Sequence, residues 1–362
     1  LELFENEAVG KEGKNHQEKK LLGLFLLRYQ REKFKFIEMG GFVNMRRAKI
    51  LIAILLVSGL AFSLSLGTLA AKKKIVVGFS QIGAESGWRT ANTESIISEA
   101  KKYPNIKLKF SDAQQKPENQ IKAIRSFIAQ RVDVIGFTPV VETGYEPVLR
   151  EAKRAKIPVI IIDRMVDVKD TSLWVTHMGS DMVEEGRKVA RFMIKRGWKG
   201  NVVEMLGTVG SSAAIGRNKG FHEIIKKHPE FKVIKSQSGN FTRSEGKQVM
   251  EAFLKAEGKK INILFAHNDD MAIGAIQAIE EYGLKPGVDI KIISIDGVHD
   301  AFQAMIEGKL NCTVECSPLL GPQFFEAVMA VMNGKKLPKE TITKEGVFPM
   351  EVAKKVMPTR KY

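Results

Sequence analysis

Four short stretches of this chain set hydrogen-bond donors beside acceptors: Glu85-Ser86-Gly87-Trp88-Arg89, Asp163-Arg164, His267-Asn268-Asp269-Asp270 and Asp296-Gly297. Such a set suits a small neutral polyol, which offers a donor and an acceptor on every carbon together with weakly apolar C–H faces. Carboxylates and amides accept from its hydroxyls, an Arg guanidinium supplies a planar fork of donors, and an aromatic ring covers the C–H faces. Asp and Asn after a strand also serve as helix caps and turn residues, which explains any one of them equally well. That alternative does not reach Arg164, which has no side-chain acceptor, or Trp88 in a Gly-containing loop.

The same residues form no familiar reaction centre. The chain has no GxGxxG, P-loop, HExxH, CxxC or GxSxG pattern. Gly239 to Lys247 places six residues where a P-loop has four. His177, His222, His228, His267 and His299 lack metal-ligand spacing and are expected at the surface or in turns. Asp163 and Asp296 are a conceivable pair of glycosidase carboxylates, but Arg164 beside Asp163 favours a permanently ionised acceptor. The reading is therefore of a binding protein with no catalytic residue, metal or cofactor.

Each polar stretch follows an apolar run of strand length. From Lys72 onward a β-branched run, a turn and an amphipathic helix recur, the pattern of a parallel sheet covered by helices. Strands are expected at Lys74–Ser80, Ile106–Phe110, Val132–Phe137 and Val159–Ile162, with helices at Thr90–Lys102 and Pro117–Gln130, the latter burying Ile121, Ile124, Phe127 and Ile128. The series restarts at 201–206 and continues through strands at 231–236, 262–265 and 291–295, separated by helices. This implies an α/β fold of two doubly wound parallel-sheet lobes, whose ligands bind beyond the carboxyl ends of the strands. The other exits are polar too: Asp112-Ala113-Gln114-Gln115, Gly207-Thr208 and Asn240-Phe241-Thr242-Arg243.

The 362 residues, 44% hydrophobic and 27% charged, can bury a core of that size. The net charge of +16 raises the question of nucleic acid. Basic residues alternate with acidic ones, as in Glu146 to Arg154, so they form solvated helix faces and no polyanion patch. Cys312 and Cys316 fall in one alternating run, where four residues span roughly 13 Å, beyond the ~7 Å limit for a disulfide. Two free thiols are expected.

Met45-Arg46-Arg47-Ala48-Lys49, the apolar run Ile50 to Leu66 and Thr68-Leu69-Ala70 have the three parts of a secretory signal peptide over residues 45–70. The rival is a signal anchor, since 17 residues approach the ~20 of a membrane span. No Cys follows the run, which argues against a lipoprotein. Residues 1–44 are expected to be an upstream extension outside the fold.

The stretches VGFSQIGAESGWR, QQKPENQIKAIRSFIAQ, IPVIIIDR, GTVGSSAAIGRNKGF, SQSGNFTR, FAHNDDMAIGAIQAI and SIDG resemble the type I periplasmic sugar-binding proteins. These are the ribose-binding-like relatives that serve ABC transporters; SGWR and SQSGNFTR point to the galactofuranose-binding branch. The resemblance implies two lobes joined by a hinge of three crossings near 177, 315 and 345. The first lobe would hold 72–177 plus 316–344, the second 178–315 plus 345–362. It implies sugar contacts from Glu85, Trp88, Arg89, Asp163 and Arg164 in the first lobe. In the second it implies Arg217, Phe241, Asn268 and Asp296, with Glu315 where relatives often have Gln.

Two departures bear on the ligand. Ile295 replaces an aromatic residue, and Trp88-Arg89 replaces the Phe-Phe of ribose binders, which suits a furanose with an exocyclic polyol arm. The implied function is periplasmic capture of a monosaccharide and delivery to an ABC transporter permease by a monomer. A chemoreceptor ligand carrier and a lactose-repressor-type regulator are the alternatives. The regulator needs a DNA-binding helix-turn-helix where this chain has an export signal.

Overall fold

The computed structural model describes residues 74–362. The expected signal peptide and upstream extension lie outside the described residues.

Two six-stranded sheets form the fold. In the first, β1 (Ile75–Gln81), β2 (Ile106–Asp112), β3 (Val134–Phe137), β4 (Val159–Ile162), β5 (Thr176–Gly179) and β11 (Glu340–Ile342) lie in the order β11-β5-β4-β3-β1-β2, all parallel. The second repeats the plan with β6 (Gly200–Leu206), β7 (Phe231–Ser238), β8 (Ile263–Ala266), β9 (Lys291–Asp296), β10 (Cys312–Glu315) and β12 (Val347–Pro349). Its order is β12-β10-β9-β8-β6-β7, with β12 antiparallel to β10. Helices cover both faces, so β3, β4 and β8 are apolar along their whole length and wholly buried. In each sheet the strand order reverses beside β1 or β6, which opens a crevice at the carboxyl edge.

The chain passes between the sheets after β5, after β10, and between β11 and β12. The first passage falls after Gly179, beyond the expected 177, because Met178 and Gly179 pair with Thr341 and Ile342 of β11. That partner comes from far along the chain, and no local pattern announces it. After the second passage the helix Gly321–Met332 returns to the first lobe. Gly321 N donates to Ser95 Oγ at 3.0 Å, and a Cβ on Gly321 would sit 2.1 Å from the Ser95 carbonyl oxygen.

Several expectations need correction. The first helix runs Gly87–Ala100, starting before Thr90, because Ser86 Oγ accepts from Arg89 N at 3.1 Å and caps it. Trp88 and Arg89 thereby occupy its first turn. On the helix Pro117–Ala129, Ile121 and Ile128 are only half-buried, while Gln120 is fully buried. Gln120 is satisfied there: its Nε2 donates to Thr138 O at 2.8 Å and its Oε1 accepts from Val140 N at 3.1 Å and Tyr145 OH at 2.5 Å. His177 and His267 are interior residues, and His267 Nε2 meets the buried Glu204 at 3.1 Å. Cys312 and Cys316 are free and buried.

Candidate functional site

Between the carboxyl edges of the two sheets lies a small pocket lined by residues of both lobes. Nine of the ten residues expected from the sequence converge on it: Glu85, Trp88, Arg89, Asp163, Arg164, Arg217, Phe241, Asn268 and Asp296. The tenth, Glu315, ends β10 outside the lining, where its carboxylate accepts from Arg360 Nη1 at 2.6 Å and Gly346 N at 2.9 Å. It ties together two chain passages.

Charge in the pocket is arranged around three guanidinium groups, each at most 3% exposed. Arg89 Nη2 donates to Asp163 Oδ2 at 2.7 Å and its Nε to Glu85 Oε1 at 3.1 Å. Burial opposes its charge, but the two carboxylates outweigh it and raise its pKa. Arg217 Nε donates to Glu185 Oε2 at 2.7 Å and its Nη1 to the His267 carbonyl at 2.5 Å, with Asp296 Oδ1 3.6 Å from Nη2.

Arg164 is different. Its Nη1 donates to Val140 O at 2.9 Å, its nearest carboxylate oxygen is 3.7 Å away on Glu85, and its plane lies 5.1 Å from the Phe241 ring. Burial and then the neighbouring Arg89 push it down to about 10. It remains charged at neutral pH with donors to spare. Burial likewise drives the Asp296 carboxyl well up, against the pull of Arg217, and Glu85 Oε2 has no hydrogen-bond partner among the described residues. These groups suit hydroxyls, which both donate and accept.

Backbone conformation aims the site. Asp163 (φ 62°), Phe241 (φ 66°) and Asp296 (φ 133°) all have positive φ, uncommon without glycine and concentrated at functional positions. Gly207 lets Phe241 swing over the pocket, since a Cβ there would lie 1.9 Å from Phe241 Cζ. Asn268 does cap a helix, accepting from Met271 N at 3.0 Å, while its Nδ2 donates to the Phe241 carbonyl at 3.1 Å. The lobes are closed on one another. Trp88 packs in the second lobe's core and donates to Cys316 O at 2.6 Å, and Gly87 N, Glu142 N and Met165 N donate to Asp270 Oδ2, Gly210 O and Ser212 Oγ at 2.9 Å each.

Comparison with known proteins fits this geometry. The family model described as a periplasmic binding protein domain matches residues 77–336. The chain belongs to this family. The binding protein is 51% identical over 313 residues to the galactofuranose-binding protein YtfQ of Escherichia coli (strain K12), covering 85% of this chain and 98% of that one. Among solved structures, the binding component of the arabinose ABC transporter from Shewanella sp. ANA-3, bound to α- and β-L-arabinofuranose, is 52% identical with a TM-score of 0.76. That match covers 79% of this chain and 95% of the other. A structure from Mycobacterium smegmatis in complex with β-D-fucofuranose is 50% identical, also at 0.76, over 80% and 95%.

Sequence reasoning missed Glu185, the partner that holds Arg217. A signal was present: Glu185 lies in the helix Met182–Lys195 within a buried stripe of Met182, Gly186, Val189 and Met193, and an acidic residue in such a stripe needs a buried cation. Ser86, Ala213 and Cys316, which also line the pocket, carried no such mark.

Proposed function

We propose that this binding protein captures a monosaccharide in its furanose form between the lobes and, closed around it, presents it to an ABC transporter permease outside the cytoplasm. The observation that supports this best is the under-paired Arg164 beside the unpartnered Glu85 oxygen and the Asp163–Arg89 pair, in a pocket lined by both lobes. Of the three relatives named above, one is a galactofuranose-binding protein and the other two are held in complex with L-arabinofuranose and β-D-fucofuranose. All nine converging side chains are assigned to the sugar: the guanidinium forks and Asn268 give to or brace its hydroxyl network, Glu85, Asp163 and Asp296 accept, and Trp88 and Phe241 cover its C–H faces. Glu315 is assigned a role in tying chain passages.

The lobes are assigned 74–179 with the returning helix and β11, and 180–315 with β12 and the C-terminal residues. Closure is a hinge rotation that sugar favours by its greater affinity for the closed form. The reading needs no covalent chemistry on the sugar, no nucleic acid and no second copy. It is tested by thermal shift of the purified, ligand-free protein with methyl β-D-galactofuranoside, L-arabinose, D-galactose, D-ribose and D-glucose. A ligand at 100 times its Kd adds about 2.7 kcal/mol. A rise with the furanoside or L-arabinose that Arg164→Ala abolishes is expected; no rise with any of them overturns the ligand class.

A further inference from the structure

The three passages between the lobes are held by one side chain. Glu345 Oε1 accepts from Ser180 Oγ on the first passage, from Ser317 N at 3.1 Å on the second, and from Thr343 Oγ1 at 2.9 Å on the third. Next to it stand Glu185 and Cys316, the donor atoms of the three residues lying within 4.8 Å of one another. Glu185 Oε2 is taken by Arg217, and its Oε1 is buried with no hydrogen-bond partner among the described residues. The side-chain cluster that fastens the hinge is therefore continuous with the support of a pocket guanidinium.

The charges facing this cluster do not balance. Glu185 comes from the helix Met182–Lys195, the Cys316 thiol from the second passage, and Arg217 from the helix Ser212–Ile225, with Asp296 of β9 3.6 Å beyond it. Lys188 donates its ammonium to the Glu345 backbone oxygen at 3.0 Å. The Arg217 guanidinium is paired with Glu185 and faces Asp296, and the half-buried Glu345 carboxyl adds a third acid beside Glu185; like charges so close do not all ionise.

We propose that Glu345 is a positioning residue for sugar binding: in the closed arrangement its carboxyl holds a proton against Glu185, which leaves Arg217 paired and aimed at the pocket, so that closing the lobes takes up a proton at the hinge. The proposal rests on the sugar-capture reading above. Burial, and then Glu185, push the Glu345 carboxyl up to about 7 from an ordinary 4.5. Opening the hinge would move the first and second passages against the third, loosening the Ser180 and Ser317 donors and exposing the carboxyl to water. A group raised in the closed form favours closure fully below its open-form value, and that contribution drains away as pH rises to about 7. Sugar affinity should therefore fall as pH rises through this window and level off above it. Asp296 is raised as well and acts in the same direction, so the hinge share has to be separated by substitution.

The experiment is calorimetric titration of the full chain with L-arabinose and D-galactose in buffers of differing ionisation enthalpy, from about pH 5 to about pH 8. The expected wild-type result is uptake of up to about one proton from the hinge per sugar near pH 6, vanishing near pH 8, with a Kd at least about tenfold weaker at the upper end. Glu345→Gln should bind with an uptake lower by at least about half a proton. Thr343→Val, which removes a donor that favours the ionised carboxylate, should move the uptake midpoint upward, and it carries the test if the Gln variant does not fold. Equal uptake in wild type and variants overturns the proposal while leaving the pocket assignment intact. Should neither sugar bind, small-angle scattering of the sugar-free protein decides. Compaction on lowering the pH, present in wild type and replaced in Glu345→Gln by a pH-independent compact form, supports the proposal; a pH-independent wild type overturns it.

Discussion

At the scale of single residues, the three buried arginines of the pocket divide into two kinds. Arg217 is anchored by Glu185, and removing it would strand a carboxylate with no exposed surface. Breaking a buried ion pair from one side costs about 3–5 kcal/mol, so Arg217→Ala should lower stability by that order in chemical denaturation even without ligand. Arg164 has only a carbonyl at hydrogen-bond distance. Arg164→Ala should leave the melting temperature of the empty protein within a few degrees of wild type, yet weaken sugar binding by about 2–5 kcal/mol, or roughly 30-fold or more, by calorimetry. Equal stability losses in the two variants would return Arg164 to a purely structural role. The stretch Asp163-Arg164 announced both residues, but their pairing was not legible. The sequence places Arg164 next to Asp163, whereas in space Asp163, at positive φ, pairs with Arg89.

At the scale of elements, the site depends on how closely helices approach. Gly186 faces the helix Ser212–Ile225 so tightly that a Cβ would lie 2.1 Å from the Arg217 carbonyl oxygen. Backbone cannot yield there without separating the two helices. Gly186→Ala should therefore cost about 1–3 kcal/mol and also weaken sugar binding, since the displaced helix carries Arg217; unaltered affinity would show that the pocket tolerates the shift. The Ser86 cap works at the same scale, setting the turn from which Trp88 and Arg89 reach the pocket. Ser86→Ala should cost about 1 kcal/mol by thermal denaturation. Hydrophobic periodicity located most strands within one or two residues. It erred where a side-chain cap or a distant strand decides the boundary, as at Gly87 and at Gly179.

At the scale of the whole molecule, the lobes meet through a few direct hydrogen bonds and through Trp88, which belongs in sequence to the first lobe and in packing to the second. A contact area this polar can part and re-form, as a hinge-closing receptor requires. Sugar should accordingly make the protein more compact in scattering, and Trp88→Ala should weaken binding more than it lowers the stability of the open form. Loss of compaction with affinity unchanged would separate closure from capture. The basic excess plays no part in the site: surface arginines such as Arg125, Arg150 and Arg191 are spent on nearby glutamates.

Strand–helix alternation and the polar exits after each apolar run were legible in the sequence alone, because periodicity and strand-end chemistry are local properties; the full set of expected pocket residues, with Arg217 inside a helix, rested on the family resemblance. The tertiary structure alone decided which carboxylate pairs with which guanidinium, that Glu315 stands outside the pocket, and that Glu185 and Glu345 stand behind it. Those facts depend on passages of the chain that return to the hinge from far apart in sequence. Burial there sets the charge balance, and burial is a property of the assembled fold.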